Sequence, residues 1–122
     1  MEALPAEIVA LLKVLLRPED AFEAALLAQV PFVTGWRRCT CGCPSLDFDV
    51  AAEAVPAQAD SPRSPAVADG YFTAEGSDRF IGSLTVFEWR GRLSSLELFD
   101  LSGPDQPAVG WPSPESVIRA RD

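Results

Sequence analysis

Residues 80–101 read FIGSLTVFEW-RG-RLSSLELFDL, two β-rich runs separated only by Arg90 and Gly91. That separation is the spacing of a tight β-hairpin, because a two-residue turn ending in glycine matches the twist of paired strands. A regular two-residue hairpin sets Trp89 opposite Arg92, Phe87 opposite Ser94 and Thr85 opposite Leu96. Leu84, Val86, Leu93 and Phe99 then supply much of the apolar surface. The first run is apolar at both odd and even positions, which predicts a central strand covered on both sides.

Outward from this hairpin the period-two pattern recurs. Ser45–Ala51 alternates, with Leu46, Phe48 and Val50 pointing one way and Asp47 and Asp49 the other. Phe32–Arg38 is a strand weakened by Gly35, and Tyr71–Glu75 a short one closed by a turn at Gly76–Arg79. Residues 54–69 hold three prolines, five alanines and no aromatic, and predict a mobile loop. Residues 4–30 change period: Leu4, Ile8, Leu11, Leu12, Leu15 and Leu16 recur at three and four, the apolar stripe of a helix. Pro5 suits a first turn, and Pro18 breaks the run. Glu19, Asp20 and Glu23 favour the dipole of a second helix, in which Phe22, Ala25, Leu26 and Gln29 continue the spacing until Pro31. Residues 102–122, with Pro104, Pro107, Pro112 and Pro114, predict an extended tail lying along the body through Trp111. The expectation is a single α+β domain over residues 1–122: N-terminal helices packed on a mostly antiparallel sheet of four or five strands.

Composition narrows the function. A chain of 122 residues has the length of one domain. Its net charge of −8 disfavours nucleic acid and anionic membrane surfaces, both of which need clustered Lys and Arg. The apolar stretches are too short to span a bilayer, and acidic Glu2 and Glu7 stand where a signal peptide is basic, so a cytoplasmic location is expected. There is no histidine. That removes the commonest general base and any Ser-His or Cys-His pair within the chain, and a non-enzymatic role follows as the expectation.

All three cysteines fall in Cys39-Thr40-Cys41-Gly42-Cys43, after Arg37 and Arg38 and before Pro44 and Ser45. The segment lies between two strands as the tip of a hairpin. If the backbone stays extended to Asp49, the thiols, Ser45, Asp47 and Asp49 share one face. Three thiolates with Asp47 or Asp49 as fourth ligand suit tetrahedral zinc, and clustered sulfur suits copper(I). The neighbouring arginines would instead lower a thiol pKa and support redox chemistry, although the spacing is not the Cys-x-x-Cys of redox folds. Buried cysteines also pack as small hydrophobes. Asp47, Asp49 and Glu97 would need to converge in a cleft to hold magnesium or cleave glycosides. The glycines form no phosphate-binding loop. Trp36, Trp89 and Trp111 are candidates for a ligand groove or for the core.

The Cys-x-Cys-Gly-Cys-Pro-Ser segment and the run Gly91-Arg92-Leu93-Ser94-Ser95-Leu96-Glu97 together resemble a group of small uncharacterised proteins common in actinobacteria. The resemblance covers roughly residues 36–101 and implies a shared fold, without an established activity to carry over. The leading functional expectation is a small binding or interaction protein, with a protein partner or self-association through the sheet or its loop. The alternative is a cysteine-centred metal or thiol-redox protein.

Overall fold

The computed structural model describes residues 3–38, 44–59, 64–74, 77–103 and 109–120. Helix α1 spans Ala6–Leu15 and helix α2 spans Ala21–Leu27. Pro5 stands at the N-cap of α1, and Leu16 turns extended just before Pro18. Asp20 caps α2, its carboxylate accepting the N–H groups of Phe22 at 2.9 Å and Glu23 at 3.1 Å. Two otherwise orphaned donors are satisfied in this way, which is why the chain restarts as a helix there.

Six strands follow: β1 (Val33–Arg38), β2 (Leu46–Val50), β3 (Ala66–Thr73), β4 (Phe80–Trp89), β5 (Arg92–Asp100) and β6 (Val117–Arg119). They form one sheet of order β1-β2-β5-β4-β3-β6, and every pairing is antiparallel. The class is α+β, with six strands where four or five were expected. The additional strand comes from the tail: Val117, Ile118 and Arg119 pair with Phe72, Tyr71 and Gly70. The span expected to be a loop through residue 69 already contains the first half of β3.

One side of the sheet carries the core. Ile8, Leu11, Leu12 and Leu15 of α1 share a single apolar cluster with Phe72, Leu84, Val86, Leu96 and Leu98. Small residues in β3 make room for it. A Cβ on Gly70 would lie 3.0 Å from Leu15 Cδ2 and 3.0 Å from Val117 Cγ1. Trp36 and Trp111 are half-buried against the cluster, while Trp89 is exposed at the hairpin tip, so the three tryptophans line no common groove.

The β4–β5 hairpin departs from a regular register. Trp89 faces Arg92 and Glu88 faces Leu93, but Phe87 faces Ser95, Thr85 faces Glu97 and Val86 faces Leu96. A β-bulge at Ser94 inserts the extra residue. The cause is the spacing of the leucines. Leu93 and Leu96 are three apart and would point to opposite faces of an unbroken strand, yet both are buried in the same core with Leu98. Phe99 falls on the other side and is exposed, so it belongs to no core.

Candidate functional site: the open face of the sheet

The face of the sheet opposite the core cluster can be read row by row from the register. Residues paired across antiparallel strands share a face. One row runs Ile118, Tyr71, Ser83, Phe99 across β6, β3, β4 and β5. The next runs Asp69, Thr85, Glu97 across β3, β4 and β5. A third places Phe87, Ser95, Asp47 and Arg37 across β4, β5, β2 and β1. Phe80 joins the first row at its end, its ring tilted against Tyr71 with centroids 5.6 Å apart. The double-sided cover expected for β4 is absent over this first row, where Tyr71 is 39% exposed, Phe99 45% and Ile118 58%.

Exposed large apolar residues are ordinary when scattered and informative when gathered. Eight are exposed among the described residues, and four of them, Tyr71, Phe80, Phe99 and Ile118, meet on this patch. Leu101, just beyond the end of β5, is also exposed. At the same end, the Asp100 carboxylate accepts the Ser102 hydroxyl, the Ser102 N–H at 2.8 Å and the Val109 N–H at 3.3 Å. These bonds, led by the Ser102 hydroxyl, hold its carboxyl below the ordinary value of 3.8. The resulting stabilisation is present above the ordinary carboxylate pKa and is lost as pH falls through the lowered one.

Asp47 and Asp49 do share the open face, as their alternation predicts. Asp49 is engaged by Arg37, whose Nη1 lies 2.7 Å from Asp49 Oδ2 on the surface. Cys39, Cys41 and Cys43 lie outside the described residues. Their flanks do not: Arg38 pairs with Leu46, and the Ser45 hydroxyl accepts the Leu98 N–H at 2.9 Å, fastening the entry of β2 to β5. Among the described residues no group of three metal-ligating side chains converges. Asp47, Asp49 and Glu97 therefore make no such centre. Among the same residues no helix is long and apolar enough to cross a membrane.

Two buried polar side chains, one at the start of α2 and one just after its end, bond to distant segments of the chain. Gln29, 1% exposed, donates to Val55 O at 3.0 Å and Gly91 O at 2.7 Å, and accepts the Leu93 N–H at 2.9 Å. Glu23, also 1% exposed, accepts Arg17 N–H at 2.9 Å and the Arg119 guanidinium at 3.0 Å. The sequence reads Glu23 as an acid favouring the helix dipole and Gln29 as part of the helical spacing, and neither reading names Arg119 or Gly91, 96 and 62 residues away, as the partner. A hollow of about 230 Å³ lies where β5 parts from β2 beyond the bulge, lined by Phe48, Val50, Trp89, Arg92 and Ser94 among others. Comparison with known proteins finds no matching family model, no matching curated protein and no matching solved structure.

Proposed function

We propose that this protein is a non-enzymatic interaction module that engages a protein partner through the open face of its sheet. The observation that carries the reading is the gathering of Tyr71, Phe80, Phe99 and Ile118 on one uncovered surface. A face of this kind loses little stability when its aromatics are changed and gains its value in binding. A cytoplasmic site of action belongs to the same proposal. So does kinship with the actinobacterial group: the Leu93-Ser94-Ser95-Leu96 spacing in the resembling motif is the spacing that demands the bulge.

A photo-crosslinking residue placed at Ser83, in the middle of the apolar row, tests the reading in living cells against the same probe at Glu19. A discrete adduct at position 83 that disappears in the Tyr71→Ser, Phe99→Ser chain is expected. Equal labelling from both positions would sink the proposal. The second reading is a zinc, copper or redox centre on Cys39, Cys41 and Cys43 with Asp47 or Asp49. The pairing of Arg38 with Leu46, which brings the two ends of the thiol segment together, favours it. Of the two carboxylates, Asp47 is the one not taken by Arg37. Metal analysis and thiol titration of protein purified without chelator decide it: three titratable thiols and no stoichiometric metal would end the metal reading.

A further inference from the structure

By register and side-chain size the open face traces a shallow channel as well as a patch. Along β4 its outward side chains are small, Ser83 and then Thr85, and both are half-buried. Larger groups stand on either side. Tyr71 on β3 and Phe99 on β5 flank Ser83, while Asp69 on β3 and Glu97 on β5 flank Thr85. The walls are two strand spacings apart, about 9–10 Å between backbones. The aromatic and carboxylate pairs follow one another along β4 at two residues' rise, about 7 Å. Phe87 stands at the next outward position of β4.

We infer that this channel receives an extended protein segment carrying an apolar side chain and a Lys or Arg separated by one residue, a deduction that rests on the interaction reading above. An extended chain projects alternate side chains to the same side about 7 Å apart, matching the step between Tyr71/Phe99 and Asp69/Glu97. The apolar group would sit over Ser83 and the cation over Thr85, between the two carboxylates. Neither Asp69 nor Glu97 has an ion-pair partner among the described residues, so both are open to a cation. A helix is too wide, since its diameter with side chains is about 10–12 Å against a gap narrowed by the wall residues. A second copy of the chain is disfavoured by charge. Face-to-face pairing would bring Asp69, Glu97 and Asp47 of both copies into one interface, on molecules that each carry −8. Like charges brought together at an interface cost affinity, and opposite ones supply steering.

The test uses the full chain, isotopically labelled, and three short β-prone synthetic peptides differing only in the key pair. One has leucine and lysine separated by one residue, one has leucine and glutamate at those places, and one has leucine and lysine adjacent. The first peptide is expected to shift the amide resonances of Ser83 and Thr85. Its affinity should fall about two- to fivefold with each of Asp69→Asn and Glu97→Gln, the range of an exposed charge pair. Glu19→Gln, remote on the helical side, should leave it unchanged. Equal binding of the glutamate or the adjacent peptide at the same resonances would overturn the cationic, alternate-residue pattern while leaving the interaction reading standing. So would concentration-dependent shifts of the face without peptide, which would point to self-association. Silence from all three peptides, with no adduct at position 83 in cells, would overturn both.

Discussion

Gln29 shows how one side chain can hold three segments together. It emerges at the end of α2 and meets the loop at Val55, the hairpin turn at Gly91 and the strand at Leu93. The turn itself is tight: Arg90 and Gly91 have φ of 51° and 79°, the two positive values a twist-matched two-residue hairpin needs. Ala57 N–H also reaches Gly91 O at 2.8 Å, and a Cβ on Gly91 would come 2.4 Å from Ala57 O. Replacing Gln29 by leucine keeps the volume and removes the donors and the acceptor. The Leu93 N–H would then be buried without a partner, a loss in the range of about 1–3 kcal/mol for each such group. Gln29→Leu should therefore lower the stability by about 2–4 kcal/mol in urea titration. A change under about 0.5 kcal/mol, the size of an ordinary surface substitution, would show that the bridge is incidental.

At the scale of the element, the bulge at Ser94 separates two kinds of deletion. Removing Ser94 leaves Glu88 facing Leu93, Phe87 facing Ser95 and Val86 facing Leu96, so every core side chain keeps its face. Removing Thr85 turns Leu84 and Val86, both wholly buried, to opposite sides of the sheet. Deletion of Ser94 should give a folded protein destabilised by no more than about 2 kcal/mol, the ordinary range of a single change. Deletion of Thr85 should give none, and circular dichroism with thermal melting distinguishes the two. An unfolded Ser94 deletion would show that the bulge itself, with its added twist, is required. The same element shows what the sequence could convey. The hairpin, its turn and the alternation of β2 were legible because period and turn chemistry are local. The bulge was written in the three-residue spacing of Leu93 and Leu96, but reading it requires knowing that both face one core. The first half of β3 was hidden because Ala66, Ala68, Asp69 and Gly70 are poor strand formers. Gly70 is small for a tertiary reason, since α1 presses Leu15 against it. The open patch was hidden for a related reason: an apolar residue reads as core until the register shows which side it takes, as Phe99 demonstrates.

At the scale of the whole molecule, the two ends of the chain are joined by one buried carboxylate. Glu23 on α2 takes the guanidinium of Arg119 on β6, 96 residues away in sequence, together with the backbone and side chain of Arg17. Strand β6 is only three residues long and sits at the edge of the sheet, so pairing with β3 alone would hold it weakly. Arg119 Nε is buried without a hydrogen-bond partner among the described residues, which makes the guanidinium dependent on Glu23 for its compensation. No local pattern announces this closure, because a charged residue on a helix is ordinarily solvated. Removing one partner of a buried ion pair leaves the other charge uncompensated and typically costs about 3–5 kcal/mol. Glu23→Gln preserves shape and one acceptor, so a loss of about 2–3 kcal/mol is expected, at or just below the lower limit of that range. The position of the loss matters more than its size. Amide exchange should accelerate first in β6, including the Ala120 N–H that bonds Asp69 O at 2.9 Å, while β4 and β5 stay protected. Release of β6 would carry Ile118 off the open face, so the substitution should also weaken binding there without touching Tyr71 or Phe99. If exchange in β6 stays as slow as in β4 and β5, Glu23 is not the clasp. In that case the C-terminal strand is held by its own ladder and the packing of Val117 against Gly70.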